Sequence, residues 1–134
     1  MKSASKMPVI AKLGIKSGHR FAVLNSPKGY TAILAKVPEG VSVTTRLAGE
    51  PFDVVQAFYG DMKSLKADLP RLKKSIRPDG KVWACWKKGN VTDLDRDSIH
   101  DVSEKAGLTA VGGCSIDEVW SALKLMYPKS KRGI

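Results

Sequence analysis

A chain of 134 residues, 43% of them hydrophobic, is long enough for one domain with a real core and too short for two. Its formal charge of +10 sits at the front: residues 1–49 hold eight Lys or Arg against one acid, Glu39, while the remainder is near balance. No apolar run approaches the roughly 20 residues of a membrane span. The first residues, MKSASKMPVIAKLGIK, flank only a few apolar positions with lysines, so a cytoplasmic protein that keeps its N-terminus is expected. Cys85 and Cys114 both fall in apolar, strand-like segments and read as small reduced core residues, with no disulfide or metal framework.

Residues 1–13 are basic and without sustained periodicity, an arm with at most a short helical turn near Val9–Leu13. A single domain is expected over 14–128, with a basic tail at 129–134. Gly14–Gly18 turns into a first strand, Arg20–Leu24. The following Asn25, Ser26, Pro27, Lys28 and Gly29 form a loop able to cap a short helix over Tyr30–Lys36 and leave its first N–H groups facing outward. Val41–Leu47 is β-branched and hydroxyl-rich, suiting an edge strand that ends near Arg46. Phe52–Tyr59 is a mostly apolar third strand. Met62–Ile76 places Leu65, Leu69, Leu72 and Ile76 at helical spacing, with Pro70 expected to kink or split the helix and Lys66, Arg71, Lys73 and Lys74 on a solvated face.

The turn residues Arg77–Gly80 then precede Lys81–Trp86, a short run apolar at consecutive positions and so expected as a central strand covered on both faces. Thr92 or Asp93 can cap a helix reaching Lys105. Leu108–Ile116 is a fifth strand, and Trp120–Tyr127 returns antiparallel through a tight link at Asp117 and Glu118. Right-handed crossovers lead to a three-layer Rossmann-like α/β domain with a mostly parallel six-stranded sheet, order 2-1-3-4-6-5, the last strand antiparallel and inserted.

In such sheets ligands bind beyond the carboxyl ends of the strands. Asn25, Ser26, Lys28, Tyr30, Arg46, Trp86, Lys87, Lys88, Trp120 and Lys124 are therefore the candidate ligand-binding residues, a basic and aromatic rim suited to a phosphate or carboxylate ligand with a flat ring. His19 and His100 stand far apart without ligand-spaced companions, so no metal site is expected. Ser26 and Ser121 lack a nucleophile-elbow setting, and Asp93, Asp95, Asp97 and Asp101 read as helix-start acids that complement the dipole.

The succession FDVVQAFYGD, amphipathic helix, RPDGKVWACW, helix to Gly107 and final hairpin resembles the back half of a class I methyltransferase domain. The front departs from that pattern, because NSPKGY replaces the Gly-x-Gly-x-Gly cofactor loop and Arg46 stands where an acid holds the ribose. Over nearly its whole length the chain is similar to a small bacterial family known only as a domain of unknown function. Leu13-Gly14-Ile15-Lys16, Leu24-Asn25, Gly29-Tyr30, Asp53-Val54-Val55, Trp83, Trp86-Lys87-Lys88, Thr92-Asp93-Leu94 and Trp120-Ser121 carry that resemblance. Together they imply a methyltransferase-like frame without the glycine loop, hence a non-catalytic binding or regulatory domain for an anionic small molecule or acidic protein surface, with no cofactor. The alternatives are an S-adenosylmethionine-dependent methyltransferase and a sequence-independent nucleic-acid-binding protein.

Overall fold

The computed structural model describes residues 9–28, 30, 37–89 and 91–129. The expected helix after Tyr30, the first eight residues of the arm and all but Lys129 of the tail lie outside that set. The elements in order are α1 (Val9–Leu13), β1 (Arg20–Leu24), β2 (Ser42–Thr44), β3 (Phe52–Phe58), α2 (Met62–Ser75), β4 (Ile76–Lys87), α3 (Arg96–Lys105), β5 (Thr109–Ser115) and β6 (Trp120–Met126). The sheet runs β2-β1-β3-β4-β6-β5, the order read from the sequence. β2, β1, β3 and β4 are parallel, and β6 lies antiparallel to both β4 and β5.

Continuous apolar runs put β1, β3 and β4 at the centre, because a strand buried on both faces has no position left for polar alternation. One face carries Ala22, Val55, Ala57, Val82 and Ala84 and is covered by Leu65, Leu69 and Leu72 of α2 and Ile99 of α3. The other carries Phe21, Val23, Val54, Phe58, Trp83 and Cys85 beneath Leu13 and Ile15. The Trp83 indole donates to the Leu13 carbonyl at 3.0 Å, so its one polar atom is satisfied inside this second core.

α2 and α3 each start on a carboxylate cap: Asp61 accepts from the Ser64 amide at 2.7 Å, and Asp95 forms a reciprocal capping box with Ser98. The amides hold the Asp61 and Asp95 carboxyls below their ordinary pKa. α3 thus begins later than Thr92 or Asp93 would place it. Thr92 instead accepts from the Leu94 amide, and Asp93 reaches the Met62 amide at the start of α2.

α2, β2 and β4 also differ from the sequence reading. α2 is one helix through Pro70, whose ring faces outward and whose missing N–H removes one bond without dividing the element. β2 is only three residues long, since it pairs with β1 alone and the Thr44 hydroxyl accepts from the Arg46 amide, turning the chain away. β4 begins at Ile76, not Lys81: Ile76 pairs with Phe52 and Lys81 with Val54, so residues 77–80 form a bulge. Gly80 allows it, because a Cβ there would lie 2.9 Å from the Phe52 carbonyl oxygen.

β2 ends at the carboxyl rim and β3 starts at the opposite one, so residues 45–51 run back along the sheet as a strap with no helix. The Arg20 guanidinium holds it by donating to the carbonyls of Ala48 at 3.0 Å and Glu50 at 3.2 Å, while stacking 4.6 Å from the Phe52 ring centre. Gly49, at φ +86°, makes the bend between those two carbonyls.

Just past the bulge in β4, burial and then repulsion from Lys124 and Lys16 depress the Lys81 ammonium below its ordinary pKa of 10.5, against weaker opposition from Asp79 and Asp53. The unfolded chain then binds more protons between the depressed value and 10.5, so this residue's contribution to stability rises with pH through that window. Lys81→Met should flatten the rise, checked by urea midpoints of parent and variant between about pH 8 and about pH 10. An unchanged slope would show that Lys81 is not its source.

Candidate functional site

The loop after β1 turns at Asn25, whose φ of +55° is the only positive value at a non-glycine position among the described residues. That left-handed backbone is sterically hard for most side chains, and asparagine is one of the few that adopt it readily. Asn25, Arg46 and Arg71 line one cavity of about 380 Å³ together with Leu24 and Leu47. β1, the strap and α2 each supply part of its wall.

Arg71 reaches this wall already oriented. The buried Tyr59 hydroxyl, at the end of β3, donates to Asp68 Oδ2 at 2.8 Å, and the same oxygen lies 3.3 Å from Arg71 Nη2. Burial first, and then Asp68, keeps the Tyr59 phenol neutral far above its ordinary range. The sequence reading placed Arg71 on a solvated face and passed over Asp68. Their i, i+3 spacing on the helix was the available signal.

The remaining candidates fall into separate groups. Ser26 and Lys28 follow Asn25 in the same loop. Tyr30 is buried, T-stacked on Phe58 at 5.0 Å, and donates to Gln56 Oε1 at 2.7 Å, so it anchors the loop from beneath. Trp86 and Lys87 end β4 and Lys88 follows it, two strand positions from β1 and hence about 10 Å away. Trp86 packs with the α2 and α3 side of the core, whereas Trp120 packs edge-on against Phe58 at 5.0 Å on the opposite face. The two indoles therefore do not form one stacking surface. Lys87 lies 5.8 Å from the Trp120 ring, and Lys88 is held by the Ser115 hydroxyl and the Asp117 carbonyl, each at 2.6 Å. Lys124 pairs with Trp83 in mid-sheet, 5.6 Å from its ring, and stands away from the carboxyl rim.

No protein-family profile matches the sequence, and no curated protein matches it. Solved structures share the fold. A SAM-dependent methyltransferase from Aquifex aeolicus superposes with a TM-score of 0.68 at 12% identity, over 90% of this chain and 88% of that one. A TehB-like SAM-dependent methyltransferase from Corynebacterium glutamicum gives 0.65 at 11%, over 93% and 90%. Magnesium protoporphyrin IX methyltransferase from Synechocystis, solved with SAH bound, gives 0.58 at 11%, over 90% and 80%.

These neighbours correct the expectation of a non-catalytic binding or regulatory domain, since the fold they share with the chain is that of SAM-dependent methyltransferases. That expectation rested on the missing glycines, yet Asn25 supplies the positive φ after β1, so the loop keeps a sharp turn in spite of its sequence. Among the described residues, no helix is long and apolar enough to cross a membrane. The chain folds as a class I methyltransferase-like Rossmann domain.

Proposed function

We propose that the chain is an S-adenosylmethionine-dependent methyltransferase that receives its cofactor in the cleft at Asn25 and Arg46. The observation that carries this reading is the sheet order with an inserted antiparallel β6, shared with methyltransferases over nine-tenths of the chain. A cavity of about 380 Å³ lies within the range of small-molecule sites, so the cleft fits a nucleoside cofactor in position and size. The Asn25 amide offers both donors and an acceptor to ribose hydroxyls, and Arg46 would donate to their oxygens where related domains place a carboxylate. Once bound, the cofactor supplies a sulfonium methyl group to a nucleophilic acceptor. Lys28 and Lys87, both exposed, support an anionic acceptor at the same rim. The two free thiols, Cys85 buried and Cys114 half-buried, support the cytoplasm as the compartment.

Calorimetric titration with S-adenosylmethionine should give micromolar binding. Asn25→Gly should weaken it by less than about tenfold, through loss of the amide's hydrogen bonds to the ribose alone, because glycine keeps the turn. Asn25→Val should weaken it by about tenfold or more, since a β-branched residue at positive φ costs roughly 1–3 kcal/mol and displaces the loop. Absence of binding to the parent would overturn the reading.

A further inference from the structure

The cavity that would take the ribose is lined by two arginines. Arg46 comes from the strap, Arg71 from mid-α2, and among the described residues no carboxylate lines the wall between them. Asp68, outside that wall, shares one carboxylate oxygen with the Tyr59 hydroxyl and Arg71 Nη2, which orients Arg71 and leaves the rest of its donor fork available. No side-chain partner holds Arg46 among the described residues; only its amide is engaged, by Thr44. Two like charges converging on one cleft are favourable when an anion lies between them. Forks arriving from two directions match the several oxygens of a phosphate better than they match the two of a carboxylate. In dinucleotide-binding sheets, an acid at the end of the second strand receives a ribose 2′-hydroxyl, and an arginine there receives a 2′-phosphate.

We infer that Arg46 and Arg71 form a phosphate subsite, so that the cleft binds adenosine phosphorylated on the ribose more tightly than it binds unphosphorylated adenosine. The inference rests on the cleft proposed above for the cofactor, not on methyl transfer. Its consequence is competition: a ribose-phosphorylated nucleotide displaces S-adenosylmethionine.

The test is calorimetry of the full chain with adenosine, adenosine 2′-monophosphate and S-adenosylmethionine, repeated on Arg46→Ala, Arg71→Ala and Lys63→Ala. Lys63 is exposed on the same helix outside the cavity and controls for general charge. Adenosine 2′-monophosphate should bind about tenfold or more tighter than adenosine, from charge-assisted hydrogen bonds. That preference should collapse in each arginine variant and survive in Lys63→Ala. Arg46→Lys should recover only part of it, because an ammonium lacks the fork. Equal affinity of the parent for adenosine and adenosine 2′-monophosphate would overturn the inference, as would an equal loss in Lys63→Ala. The two proposals fail separately: phosphate preference without S-adenosylmethionine binding removes the methyl-transfer reading alone, and S-adenosylmethionine binding without phosphate preference removes the subsite alone.

Discussion

Phe52→Ala should cost about 3–5 kcal/mol, the range for emptying a buried aromatic site, and lower the thermal midpoint by about 10 °C or more. Phe52 opens β3 with 2% of its surface exposed, pairs with Ile76 across the bulge, and carries the Arg20 guanidinium 4.6 Å from its ring. Truncation opens a cavity and also removes the platform on which the strap-holding arginine rests. The neighbouring main chain cannot close the gap, because the Phe52 carbonyl already lies against Gly80. Urea unfolding of parent and variant measures the difference. A loss below about 1 kcal/mol would show that this end of the sheet is loosely packed.

The second large effect lies in the opposite core. Gln56 is fully buried in β3, the strand between β1 and β4, and its carbonyl oxygen accepts from Tyr30 at 2.7 Å, with only a weak 3.8 Å contact from its amide to Cys85 sulfur. Burial raises the Tyr30 phenol well above its ordinary pKa, so it remains a donor at any working pH. Tyr30→Phe leaves the amide oxygen unsatisfied and should cost about 1–3 kcal/mol. Gln56→Leu leaves the hydroxyl unsatisfied and should cost a similar amount. The double variant should cost less than the sum by about 1 kcal/mol or more, since neither orphan group remains. Four urea curves complete the cycle, and strict additivity would mean that the pair is not coupled. Tyr30 anchors the loop that begins at Asn25, so both single variants should also weaken ligand binding at the cleft.

The sheet order was legible in the chain because its cues are local: buried runs such as Val82–Cys85, the amphipathic spacing of Leu65, Leu69 and Leu72, and a link after Ser115 too short for a crossover. Long-range pairing was not legible. Nothing around Ile76 announces that Phe52 will extend β4 backwards through a Pro-Asp-Gly segment, because turn residues read the same in a bulge as in a free turn. The site was half visible for the same reason. Asn25 and Arg46 follow strand ends and could be placed by topology, whereas Arg71 is fixed through Tyr59 and Asp68, contacts that exist only after α2 has packed. Missing glycines misled the functional reading, since an asparagine can adopt the same turn without leaving the expected motif.

The grip of Arg20 on the strap has a consequence for how this protein can vary. Both anchors are peptide oxygens, which every amino acid supplies, so the fastening is blind to the side chains it holds. Only Gly49 is constrained, by its φ of +86° and by a guanidinium nitrogen that would stand 3.1 Å from an added Cβ. Arg46 hangs exposed from the same segment into the cleft, free to be exchanged while the scaffold stays put, whereas Leu47 beside it also packs against the core. Ligand preference can therefore drift through substitution at Arg46 with little effect on folding, which makes that position the natural place to randomise when seeking a variant with altered selectivity.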